Sequence, residues 1–135
     1  MKTKVYSFEK LEVWQQSREL IKRIYHFSKF LPKEERYGIV AQIRRASISV
    51  SCNLAEGTSR LNPKEQARFS EMAYGSLMEI YSLLVVCTDL DDIPSSRFEN
   101  LFEMIQGISF NINALRSSQL KRTTPAPPPN LPKSY

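Results

Sequence analysis

The residue types best suited to chemistry are concentrated between Gln42 and Gly57. Gln42, Arg45, Ser49, Asn53 and Glu56 recur at helical spacing and make one polar stripe, with Arg44 beside it. Glu71, Gly75 and Glu79 make a second stripe further along. If the two segments pair as antiparallel helices about a turn near Ser59 and Arg60, Arg44 and Arg45 fall opposite Gly75 and Tyr74, between Glu71 and Glu79, each about one turn away and within an arginine's reach. Two readings follow. In one, the stripes form interhelical or intersubunit ion pairs and hydrogen bonds that fix register and partner choice. In the other, they hold a ligand or a nucleic acid. The first is favoured, because charge clusters often serve as scaffolding. Catalysis has little support, since paired acids and arginines define no reaction by themselves.

Other chemistries are poorly supplied. The chain has 1 histidine, His26, and no Glu-x-x-His, so a di-metal centre of the ferritin-like kind is not expected, nor any cofactor. His26 falls near a helix end, where a cation suits the dipole. There is no glycine-rich phosphate loop, nucleophile elbow or Cys-x-x-Cys, and no enzyme is expected. Ser76 sits in a strongly periodic segment and reads as a small core residue. The antiparallel register puts Cys52 opposite Ala67, roughly 30 Å along the axis from Cys87. A disulfide between them is excluded on that geometry, and both read as small buried hydrophobes.

These residues need long elements to position them. The 135 residues suffice for one domain. Pro32, Pro63, Pro94 and Pro125 are evenly spaced and divide the chain into proline-free segments of helix length. Phe69, Ala73, Ser76, Ile80, Leu83, Cys87 and Leu90 alternate steps of three and four, as do Phe98, Leu101, Ile105, Ile108, Ile112 and Leu115. Asn62-Pro63-Lys64-Glu65 offers a cap, a first-position proline and a capping-box acid, and Gly57 offers a stop for the second helix. Helices are expected near 8–31, 34–57, 63–91 and 95–122, joined by short turns. The fold expected is all-α, an antiparallel up-down-up-down four-helix bundle over 1–122. The Pro-rich segment 123–135 reads as a disordered tail.

Charge bears on partners. Lys plus Arg number 19 against 14 acids, a net charge of +5. The acids are concentrated in the third segment, leaving the others basic. Arg18, Lys22, Arg23 and Lys29 could form a basic ridge, although a solvated face is the slightly better reading. In an antiparallel bundle Lys2, Lys4, Lys10, Lys121 and Arg122 gather at one end, where phosphates could be held. Seven Phe, six Tyr and one Trp give more large apolar surface than one narrow core hides, and small residues on the second helix suit close packing between chains. A homo-oligomer is therefore expected. No signal or membrane segment is found, and a cytoplasmic location with reduced thiols is expected.

At the second helix the sequence becomes recognisable. Gln42-Ile43-Arg44-Arg45-Ala46, Ser49 and Asn53-Leu54-Ala55-Glu56-Gly57 resemble the signature of the bacterial 23S rRNA intervening-sequence proteins. Phe8, Leu11, Val13-Trp14-Gln15, Pro32, Glu35, Tyr37-Gly38, Arg68-Phe69, Ala73 and Gly75-Ser76-Leu77 extend the resemblance over roughly 8–117. It implies an antiparallel four-helix bundle without attached enzyme activity, assembled as a ring-like pentamer. It also implies a fold similar to the accessory protein of diversity-generating retroelements, which works with a reverse transcriptase and nucleic acid. The function expected is a non-enzymatic, homo-oligomeric bundle contacting RNA or DNA electrostatically. The alternative is a protein-interaction scaffold or accessory subunit with no nucleic-acid role.

Overall fold

The computed structural model describes residues 5–90 and 95–122; Lys2, Lys4, Pro94 and the tail expected at 123–135 lie outside them. The described residues form four long helices and no strand: α1 (Glu12–Ser28), α2 (Ile39–Ser59), α3 (Pro63–Asp89) and α4 (Ser95–Lys121). Side-chain pairs fix their directions. Arg45 meets Glu79 while Ser49 meets Ser76, so α2 and α3 run oppositely. Ser70 meets Gln119 while Tyr81 meets Phe102, so α3 and α4 do as well. Asn111 reaches Gln16 and closes α4 onto α1. The chain is an all-α, antiparallel four-helix bundle.

The periodic stripes become the core. Leu20 and Ile24 of α1, Ile43, Val50 and Leu54 of α2, Leu77, Ile80 and Leu84 of α3, and Ile108 and Ile112 of α4 are fully enclosed. Each such side chain contributes about 2 kcal/mol relative to exposure. The inward line of α3 is Ala73, Leu77, Ile80, Leu84 and Cys87. Ser76 and Leu83, expected on that line, are half-buried at its edge, and Leu90 is exposed. The buried arc of α3 is wide because α2 and α4 flank it on both sides.

Local chemistry explains the ends. Pro63 is the first residue of α3, and the Lys64 backbone N–H donates to Asn62 Oδ1 at 2.8 Å, as the capping sequence requires. Glu65 does not complete a capping box; its carboxylate turns to Arg68 at 3.0 Å instead. Pro32 opens a 3-10 turn at Lys33–Glu35, and α2 starts only after Gly38, at Ile39 rather than near 34. Phe8, in a 3-10 turn before α1, lies edge-on to Trp14 with centroids 4.9 Å apart.

Gly57 does not stop α2. The helix runs through it to Ser59. Its missing side chain serves close packing instead: a Cβ there would lie 2.8 Å from Phe69 Cβ and 3.3 Å from the Gln66 carbonyl oxygen. This contact sets the register of α3 on α2. Relative to the alignment expected from a turn at Ser59 and Arg60, α3 is slid by about one and a half turns, so that Arg45 meets Glu79 rather than Tyr74.

Candidate functional site

The polar stripe of α2 faces α3. Ser49 and Ser76 share a hydrogen bond of 2.8 Å across the seam. Asn53 Nδ2 donates back to the Ser49 carbonyl at 2.9 Å and to its hydroxyl at 3.0 Å. One turn earlier, Arg45 and Glu79 pair at 3.2 Å. The pair is largely exposed, so it contributes little stability and serves alignment. Gln42 and Glu56 flank this cluster, both exposed, and their side chains make no hydrogen bond or ion pair among the described residues.

Arg44 and Glu71 separate from the group expected around them. Arg44 points to α1: its Nε donates to Ser28 Oγ at 2.7 Å, an Nη donates to the Tyr25 carbonyl at 3.5 Å, and the guanidinium lies 4.6 Å from the Tyr25 ring centroid. Glu71 pairs with Arg116 of α4 at 3.6 Å. The arginines therefore do not sit together between Glu71 and Glu79. Consecutive helical residues are about 100° apart around the axis, so Arg44 and Arg45 reach different neighbours.

Two polar pairs were not anticipated. Ser70 Oγ donates to Gln119 Oε1 at 2.7 Å inside the bundle, and both residues are buried. Asn111 Nδ2 donates to Gln16 Oε1 at 2.8 Å. The signal for the first was available, since Ser70 and Gln119 continue the core lines of Ala73 and Leu115 with polar side chains. Arg116 Nε is buried without a hydrogen-bond partner beside Glu71, Tyr74 and Asn113.

The basic residues divide as well. Lys10, Lys121 and Arg122 are exposed at the end where α1 starts and α4 stops. Arg122 donates to Gln66 Oε1 at 2.9 Å, and Gln66 Nε2 donates to the Arg60 carbonyl at 2.7 Å, which ties that end together. The ridge considered on α1 is partly neutralised: Glu19 lies 4.0 Å from Lys22 and 3.6 Å from Arg23. Arg18 rests over the Trp14 ring at 5.1 Å.

The remaining candidates are plain. Cys87 is buried as expected, but Cys52 is exposed, because it falls on the outer line of α2 with Ile48. His26 is exposed and edge-on to Phe30 at 5.4 Å. No group of three or more His, Cys, Asp or Glu among the described residues could hold a metal. No helix among them is long and apolar enough to cross a membrane. The Arg68 hydrogen bond holds the Glu65 carboxyl below its ordinary value, and Glu65 in turn raises Arg68.

These positions can be set against known proteins. A crystal structure of a protein of unknown function from the S23 ribosomal protein family of Bacteroides thetaiotaomicron superposes with a TM-score of 0.71 at 20% identity, covering 77% of this chain and 97% of that one. That likeness concerns the fold. No curated protein matches the sequence. The family model of the 23S rRNA-intervening sequence proteins matches residues 9–114, a span that holds α1, α2 and α3 whole, most of α4 and the whole α2–α3 seam. On that match, the chain belongs to the 23S rRNA-intervening sequence protein family.

Proposed function

We propose that the chain works without catalysis, as a homo-oligomer that contacts RNA or DNA through charge. The observation that carries the assembly is Gly75. It is exposed in the middle of α3, and a Cβ there would meet nothing within 4 Å. An open position of this kind favours alanine over glycine by about 1 kcal/mol within an isolated helix. A second chain packed closely on it supplies a reason for glycine. The same outer face carries Ile48, Met72 and Val86 with 41, 43 and 40% of their surfaces exposed, alongside Cys52. Glu56 and Gln42, unpaired within the described chain, fit a polar rim around that contact. The resemblance to ring-forming relatives supplies the number five.

Nucleic-acid contact is supported by the exposed cations at one end of the bundle: Lys10, Arg60, Lys64, Lys121 and Arg122. A ring would repeat this group once per subunit. Lys2 and Lys4 join the proposal from sequence. Binding through phosphates alone carries no base preference and weakens steeply with salt. The setting proposed is the cytoplasm, where both thiols stay reduced.

Native mass spectrometry or light scattering tests the assembly, and a monomer at micromolar concentration rejects it. Anisotropy titrations against several unrelated RNAs and DNAs at two salt concentrations test the contact. Absence of binding at low salt favours the scaffold reading. A strong preference for one sequence that persists at high salt rejects the electrostatic mechanism.

A further inference from the structure

The opposite end of the bundle holds a cavity of about 330 Å³, bordered by the last turn of α1, the connection after it and the first two turns of α2. Four of its lining residues are cations: Lys29, Lys33, Arg36 and Arg44. No acid lines it. None of the four pairs with a carboxylate among the described residues. The contrast with other basic residues is informative. Arg45, Arg68, Arg116, Lys22 and Arg23 each have a glutamate within 4.0 Å. Like charges brought together without a counter-charge repel, so this arrangement favours an anion in the cavity.

We propose that this cavity is a binding site for a phosphoryl group. Arg44 is its fixed element. The Ser28 hydroxyl, the Tyr25 carbonyl and the Tyr25 ring hold the guanidinium from one side. Two of its five N–H groups are used there, which leaves three for a ligand. A planar fork held in place matches phosphate oxygens in a way that a mobile lysine does not. Lys29, Lys33 and Arg36 are exposed at the rim and supply charge. Helix α2 begins at this wall with no side-chain cap and no acid in its first turn, so its positive end adds to the field. Leu31 and Val40 form an apolar side of the cavity, which gives room for an organic group attached to the phosphate.

The ligand chemistry is thus a phosphate monoester, either on a small molecule such as a nucleotide or at the 5′ end of a nucleic acid. The site does not depend on the proposed basic end at Lys10, Lys121 and Arg122, which lies at the other pole. The test uses the full chain in low salt, with amide chemical shifts of Lys33, Arg36, Ile39 and Val40 as the readout. Inorganic phosphate and adenosine 5′-monophosphate should shift these amides, and adenosine should not. The double variant Lys33→Gln/Arg36→Gln, on exposed positions, should keep its Tm and lose about tenfold or more in affinity. Lys22→Gln/Arg23→Gln, at cations that already have Glu19 beside them, should bind as the parent does. A 5′-phosphorylated oligonucleotide preferred over its 5′-hydroxyl form assigns the source to a nucleic-acid end; equal behaviour of the two, with the monophosphate still bound, assigns a small molecule. The proposal is overturned if millimolar phosphate leaves the amides unmoved, if adenosine binds as well as its monophosphate, or if the Lys33/Arg36 variant binds undiminished.

Discussion

Gly57 and Phe69 meet where α2 and α3 converge, so closely that a methyl group on Gly57 would lie 2.8 Å from Phe69 Cβ. The obstructing atom is the root of a buried side chain and cannot swing aside. Gly57→Ala should therefore destabilise despite alanine's better helix propensity. Overpacking of this kind costs about 1–3 kcal/mol against about 1 kcal/mol gained in the helix. Thermal unfolding should show a Tm several degrees lower, and an unchanged or raised Tm would contradict the close approach.

Gly75 should behave in the opposite way. With open space around it, Gly75→Ala should leave the fold of one chain intact or up to about 1 kcal/mol more stable. If a second copy packs there, the same variant should dissociate the assembly. Light scattering and thermal unfolding on one sample read both effects, and a variant that keeps its size would move the interface elsewhere.

Ser70→Ala removes the only donor to Gln119 Oε1 among the described residues and strands a buried amide. The expected loss is about 1–3 kcal/mol in denaturant unfolding. Ser70→Ala/Gln119→Leu removes both partners and should recover much of it. A double variant as weak as the single one would show that the polar pair itself, and not its satisfaction, matters.

The Glu65–Arg68 pair gives a sign for pH. Because Arg68 depresses the Glu65 carboxyl in the folded chain, its contribution is present above the ordinary glutamate value and is lost as pH falls through the lower folded value. Glu65→Gln should therefore narrow the Tm difference from the parent as the solution is acidified. The effect should be small, since the pair is solvent-exposed. A difference that grows in acid would reverse the assignment.

Much of the architecture was legible in the residues. The core lines of α3 and α4 follow their three-four spacing, and Asn62-Pro63 marks the start of α3 by its capping chemistry. The lateral position of α3 on α2 was not legible, because it depends on how closely Gly57 lets Phe69 approach. A turn at Ser59 and Arg60 puts Tyr74 level with Arg45 and Glu79 about one turn away but within reach, whereas the observed register brings Glu79 alongside it. The divergence of Arg44 from Arg45 could have been read from helix geometry alone, as could the polar interruption at Ser70 and Gln119. The cationic cavity could not. It depends on the path from Ser28 to Val40, where a 3-10 turn and Gly38 bring Lys29, Lys33 and Arg36 around the space beside Arg44 in a way that sequence spacing does not define.

The two cysteines, one facing outward and one enclosed, give the molecule a clock. Cys52 is open to a thiol reagent in the native chain, while Cys87 can be labelled only when α3 separates from its neighbours. The slow phase of labelling would then time the transient opening of the bundle, and the fast phase would record whether another surface covers α2. A single chain thus carries separate chemical reporters of its interior and of its exterior, with no residue added.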